Sequence, residues 1–112
     1  MTADLSSFFL CARAFFAHLR RRRPQAASLV MVGSSAAVFG EEGHADYAAA
    51  KAAVVYGLTR TLKNEIVRLA PRGRVNAVCP GWTQTPMAEG AMADDAARRR
   101  AMQTRAIPEV AR

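Results

Sequence analysis

Two short strand-like runs separated by one long helical stripe constrain this chain more than any other feature. SLVMVG (28–33) and RVNAVC (74–79) lie between turn signals, with Gly33 closing the first and Pro80-Gly81 the second. The first, an unbroken apolar run, fits a strand buried on both faces, and the second reads as another short strand. Between them, positions 47, 51, 54, 55, 58, 62, 66 and 69 follow the helical period, and from Val54 onward they read Val, Val, Leu, Leu, Ile, Leu. That stripe is the buried face of a helix over 45–69, ended near Pro71 and Gly73. Strand, crossover helix and strand imply a parallel pair with a right-handed connection. An amphipathic helix over 3–22 precedes them, stopped by an arginine run and Pro24. A polar, Gly-containing loop is expected over 34–46, and a loop and a polar helix near 91–104 after Pro80. The class is α/β, two parallel strands with flanking long helices.

A chain of 112 residues with 51% apolar content makes one modest packed domain. Two parallel strands cannot stand alone, because both outer edges present unpaired N–H and C=O groups. Nothing before residue 28 or after residue 80 reads as a strand, so the chain is expected to be part of a larger sheet, with both ends truncated. No apolar run reaches the ~18 residues that span a membrane. In MTADLSSFFLCARAFFAHLRRRRP the positive charge follows the apolar part, the reverse of a secretory signal. Cys11 and Cys79 sit in apolar contexts without CxxC spacing or a metal-ligand cluster, which predicts two reduced, buried thiols, no metal and a cytoplasmic protein. The net charge of +7 is concentrated in Arg20–Arg23 and Arg98–Arg100. Neither run is interleaved with aromatics, so both read as solvated faces and not as a nucleic-acid footprint. The first also closes a helix, where cations complement the dipole.

In open parallel sheets, ligands bind beyond the carboxyl ends of the strands. Ser34 and Ser35 follow the first strand, Pro80 to Thr85 follow the second, and the start of the long helix carries Tyr47. Lys51 stands one helical turn after Tyr47 on the same face. A fixed positive charge favours a phenolate over a phenol, and a phenol so biased can exchange a proton with a substrate hydroxyl or carbonyl. A lysine on an apolar face needs a partner, since lysine is almost never fully buried without one. Competing chemistries are poorly represented. Ser34 sits in V-G-S-S-A, not in the G-x-S-x-G elbow of a hydrolase. His18 lies on a helix, and His44 in a loop three residues from Tyr47, where a solvated role is expected.

Ser34, Tyr47, Lys51 and Pro80-Gly81-x-x-x-Thr85 resemble the second half of the short-chain dehydrogenase/reductase family. The resemblance is carried by SS-x4-G-x2-G-x3-Y-x3-K from Ser34 to Lys51 and by RVNAVCPGWTQT from Arg74 to Thr85. It covers nearly the whole chain and points to the non-extended branch, similar to reductases of 3-oxoacyl groups. It implies a Rossmann-like three-layer sandwich fragment and an NAD(P)-dependent oxidoreductase acting on a small-molecule carbonyl/alcohol pair, with NAD or NADP as cofactor. It further implies that Tyr47 is the general acid/base, that Lys51 favours its phenolate and binds the nicotinamide ribose, and that Ser34 holds the substrate oxygen, with Ser35 the neighbouring alternative. Pro80 and Gly81 would shape the loop against the nicotinamide, and Thr83 and Thr85 would meet the carboxamide and a phosphate. Ordinary loop capping is the competing role for both threonines.

The sequence departs from the family twice. Asp4 stands where the family usually has an asparagine that holds a relay water, and Asp4 also suits a helix N-terminus. The Gly-rich turn that seats the pyrophosphate, the residue that selects NAD or NADP, and the final strand are all missing, so residues 1–112 correspond to a partial catalytic half. The substrate loop is expected over 82–105, with Met87, Met92 and Met102 an adaptable apolar surface. The resemblance implies that helices 3–22 and 45–69 pair with those of a second copy in a homo-oligomer, and Ala48, Ala49, Ala52 and Ala53 would permit close approach. The alternative to an enzyme is a catalytically incompetent fragment that acts at most as an interaction module.

Overall fold

The computed structural model describes residues 2–83 and 85–102. They fall into two compact units, one ending at Cys79 and one beginning at Pro80.

The first unit opens with α1, Thr2–Arg22, close to the expected 3–22. Its last turn carries Arg20, Arg21 and Arg22, cations at the negative end of the helix dipole. Arg23 terminates it with a φ of 46° and its N–H on the Leu19 carbonyl. Strand β1 (Ala26–Val32) and strand β2 (Arg72–Val78) form a parallel pair, Leu29 opposite Val75 and Met31 opposite Ala77. Between them run α2 (Ser35–Phe39), α3 (Ala45–Ala52), a π-helical turn (Ala53–Leu58) and α4 (Thr59–Ile66). The last three form one continuous rod along the expected stripe, on which Val54, Leu62 and Ile66 are buried. They meet Ala12 and Leu19 of α1 and Met31 and Val75 of the sheet in one core.

The π-helical turn was not legible in the periodicity. The Thr59 N–H reaches back five residues to the Val54 carbonyl, which also accepts the Thr59 hydroxyl at 2.8 Å. Such turns are rare and recur at functional sites. Here it lies directly after the turn that carries Lys51.

Four expectations are corrected. β1 is not buried on both faces: Ala27, Leu29 and Met31 turn inward, while Val30 (54% exposed) and Val32 (49%) turn outward. The helices of this unit cover one face of the sheet, so the apolar run buries only alternate residues. The loop over 34–46 contains α2, because Ser34 caps it and Gly40, at a φ of 76°, closes it with its N–H on the Ala36 carbonyl. The helix expected to 69 ends at Ile66, and Gly73 belongs to β2. A Cβ on Gly73 would lie 2.8 Å from Ile66 Cγ1 and 2.9 Å from the Ala70 carbonyl, so glycine is what lets the strand start close beneath the helix end. Cys11 is exposed and Cys79 half-buried, both free thiols. Cys11 opens onto an apolar groove between α1 and β1 that Phe8, Ala12 and Val30 also line.

The second unit holds α5 (Pro86–Ala91) where a loop was expected, and α6 (Asp95–Met102) within the polar helix expected near 91–104; residues 103–105 of the expected helix and substrate loop lie outside the described residues. Among the described residues no helix is long and apolar enough to cross a membrane.

Candidate functional site

The two strands stay paired to their carboxyl ends. The Gly33 N–H donates to the Val78 carbonyl at 2.7 Å, one step beyond β1. A Cβ on Gly33 would stand 2.5 Å from Val55 Cγ2 and 3.0 Å from Cys79 Sγ. The absence of a side chain there brings the ends of β1 and β2 and the rod together, and this sets the floor on which the polar residues sit.

Lys51 is the centre of the arrangement. Its ammonium donates to the Val32 carbonyl at 3.0 Å. It lies 5.7 Å from the centroid of the Tyr47 ring, one turn back on α3, and 4.7 Å from that of Phe8 on α1. Tyr47 and Lys51 are both half-buried. Partial burial of an ammonium is unfavourable without compensation. The carbonyl and the two ring faces provide it, since ring faces attract a cation within about 6 Å. The charge is thereby tied to the carboxyl end of β1, and three elements contribute to one spot.

Ser34 follows Val32 by two residues. Its backbone is extended (φ −160°, ψ 153°), and its Oγ accepts the Ala36 N–H at 3.2 Å as the N-cap of α2. An accepting hydroxyl still carries a hydrogen to donate. Ser35 is the first residue of α2. His44 precedes α3, is exposed, and its Nδ1–H donates to the Glu42 carbonyl at 3.2 Å. Asp4 lies in the first turn of α1 and is exposed. A carboxylate there complements the helix dipole, and its backbone carbonyl accepts the Ser7 hydroxyl at 3.3 Å. Among the described residues no hydrogen bond or ion pair joins Asp4 to Tyr47 or Lys51.

Pro80, Gly81, Thr83 and Thr85 belong to the second unit. Within it the Thr83 hydroxyl donates to the Gly81 carbonyl at 3.4 Å. The Thr85 hydroxyl accepts the Ala88 N–H at 3.1 Å and caps α5, which has Pro86 at its first position.

Sequence reasoning missed Phe8 and the Val32 carbonyl as partners of Lys51. Phe8 was visible as one apolar residue of the α1 stripe. The one pointer to such partners was the presence of a lysine on a buried face, and that pointer names no partner.

A family model described as enoyl-(acyl carrier protein) reductase matches residues 1–112. A 3-oxoacyl-(acyl-carrier-protein) reductase of Synechocystis sp. is 37% identical over 92 residues, 81% of this chain and 35% of the relative. The corresponding reductase of Vibrio cholerae is 36% identical over 88 residues, 78% of this chain and 34% of its own length. That of Thermotoga maritima is 48% identical over 63 residues, 55% of this chain and 24% of the relative. The matched region thus spans between a quarter and about a third of these curated relatives.

Proposed function

The chain belongs to the short-chain dehydrogenase/reductase family, and from that premise we propose that it supplies the proton-transfer centre of an NAD(P)-dependent ketone–alcohol oxidoreductase. The observation that carries this reading is the Lys51 ammonium held between the Val32 carbonyl and the Tyr47 ring at the carboxyl end of β1. Open parallel sheets take dinucleotides at those strand ends. An ammonium has three donors, so one anchored there by a single carbonyl fits a pair of ribose hydroxyls. Lys51 and Tyr47 would hold the nicotinamide end. When bound, NAD or NADP supplies or accepts the hydride.

The chain's own residues supply the rest. In the reductive direction the Tyr47 phenol gives its proton to the carbonyl oxygen as the carbon is reduced, and the phenolate left behind is stabilised by the Lys51 charge. Solvent returns the proton to Tyr47. The Ser34 hydroxyl donates to the same oxygen and fixes its distance from the phenol. In oxidation the phenolate removes the hydroxyl proton. The relatives' names support a 3-oxoacyl thioester as the ketone, and the reading extends to the 82–105 segment as the substrate loop. Pairing of α1 and the α3–α4 rod with a second copy is supported by half-buried to exposed Ala48, Ala49, Ala52 and Ala53. The two free thiols suit a cytoplasmic setting.

The direct test is to incubate the intact protein with a 3-oxoacyl thioester and reduced NADP or NAD, and to follow loss of the reduced dinucleotide. Turnover with one of them is expected. No consumption by folded protein, with no saturable dinucleotide binding, sinks the proposal and leaves the interaction-module alternative.

Ser34 carries two separable roles, and a pair of substitutions divides them. Ser34→Ala is expected to cost about 1 kcal/mol through loss of the α2 cap and to lower kcat as well. Ser34→Asp restores a capping acceptor but donates nothing at neutral pH. It is expected to recover thermal stability and leave kcat low. Recovery of kcat by Ser34→Asp would reduce Ser34 to a helix cap.

A further inference from the structure

Lysine has a long stem with several free torsions, and one hydrogen bond fixes the distance of its ammonium from an acceptor without fixing its direction. The Val32 bond alone therefore leaves the Lys51 charge free to swing about the carbonyl. Two ring faces limit that swing. Tyr47 sits at 5.7 Å, near the outer reach of the attraction, whereas Phe8 sits at 4.7 Å. The Phe8 ring is half-buried and packed against the core of the first unit. An aromatic ring has few torsions of its own, so packing holds it at low entropic cost. The three groups come from three elements, α1, β1 and α3, which approach the ammonium independently of one another.

We infer that Phe8 is a positioning residue for the Lys51 ammonium, its core-anchored ring forming with the Val32 carbonyl and the Tyr47 ring a cage that sets where the charge stands relative to the phenol. The inference rests on the catalytic reading of Tyr47 and Lys51 given above for its consequence in turnover. The cage itself is a matter of contacts within this chain and is tested without cofactor. A phenylalanine that merely filled space would be replaced without consequence for Lys51 by any apolar side chain of similar volume. A phenylalanine that holds a cation would be replaced only by another aromatic ring.

The sequence supplies an internal standard, because Lys51 and Lys63 are its two lysines and Lys63 is exposed. Trace acetylation of the intact protein with acetic anhydride, read by mass spectrometry as the Lys51 to Lys63 ratio, reports how well the cage protects the ammonium. Phe8→Leu is expected to raise that ratio by about threefold or more, and Phe8→Tyr to leave it within about 1.5-fold of the parent, the scale of one lost cation–π contact. An unchanged ratio in a folded Phe8→Leu variant overturns the inference. Should Phe8→Leu fail to fold, the parent protein decides: the Lys51 ε-methylene protons are expected upfield with a nuclear Overhauser contact to the Phe8 ring, and absence of that contact overturns the cage. In turnover, Phe8→Leu is expected to lower kcat by about threefold to tenfold with little change in KM, and Phe8→Tyr to rescue it. A ratio that responds to Phe8 in a protein whose turnover ignores Tyr47→Phe would remove the catalytic reading while upholding the cage.

Discussion

Tyr47→Phe should reduce turnover of a ketone substrate by about 10²–10⁴-fold, the usual contribution of a positioned general acid. The substitution removes one oxygen and keeps the ring. The ring lies 5.7 Å from the Lys51 ammonium, and the attraction between them needs the ring face and not the hydroxyl. Lys51 also keeps its bond to the Val32 carbonyl. Folding stability should therefore change by less than about 1 kcal/mol, the net worth of a neutral hydrogen bond, and dinucleotide affinity should stay within about threefold of the parent by the same measure. Steady-state kinetics and a fluorescence titration of the reduced dinucleotide measure the two quantities on one preparation. Parallel loss of binding and turnover would mean that Tyr47 holds the cofactor without moving a proton. Retained turnover would mean that the proton comes from elsewhere.

The largest effect on stability should come from Ile66→Ala. Ile66 is fully buried at the end of α4, where the rod meets the start of β2. Removing a buried branched side chain costs about 2–5 kcal/mol, the range reflecting how far the site can collapse. Collapse is limited here, because Gly73 already brings the β2 backbone against Ile66. Gly73→Ala alone should also destabilise, by about 1–3 kcal/mol, since its Cβ would stand 2.8 Å from Ile66 Cγ1. The two changes share one space, so the double variant should be less destabilised than the sum of the singles by about 0.5–3 kcal/mol. Relief should be incomplete, because the Ala70 carbonyl, at 2.9 Å from the same Cβ, is backbone and remains in place. Urea unfolding of the three variants measures this, and strict additivity would show that Ile66 and Gly73 do not compete for the same volume.

Much of the framework could be read from residue order. The stripe from Val54 to Ile66 is a long-period signal, and the structure buries Val54, Leu62 and Ile66. The runs at 28–33 and 74–79 carry β1 and β2: the first is nearly all apolar, and in the second Val75, Ala77 and Cys79 alternate with Arg74, Asn76 and Val78 between turn signals. Local chemistry was harder to resolve. A single-turn helix such as α2 depends on one cap at Ser34 and one closing glycine at Gly40, and that pattern also describes an ordinary loop. Whether an apolar strand hides both faces depends on what covers it. Val30, Val32 and Val78 share the sheet's outer side, and nothing in their own identity reports on that.

Tyr47 and Lys51 were placed on one face by helical geometry alone, since four residues make a turn whatever surrounds it. What holds the Lys51 charge came from elsewhere. The Val32 carbonyl lies 19 residues away on β1, and the Phe8 ring lies on α1. Contacts between distant segments are set by packing, and packing follows from the volumes of many side chains together, not from the spacing of two. Periodicity could specify which residues face inward, but the partner each one meets depended on how α1, β1 and the rod came to lie against one another.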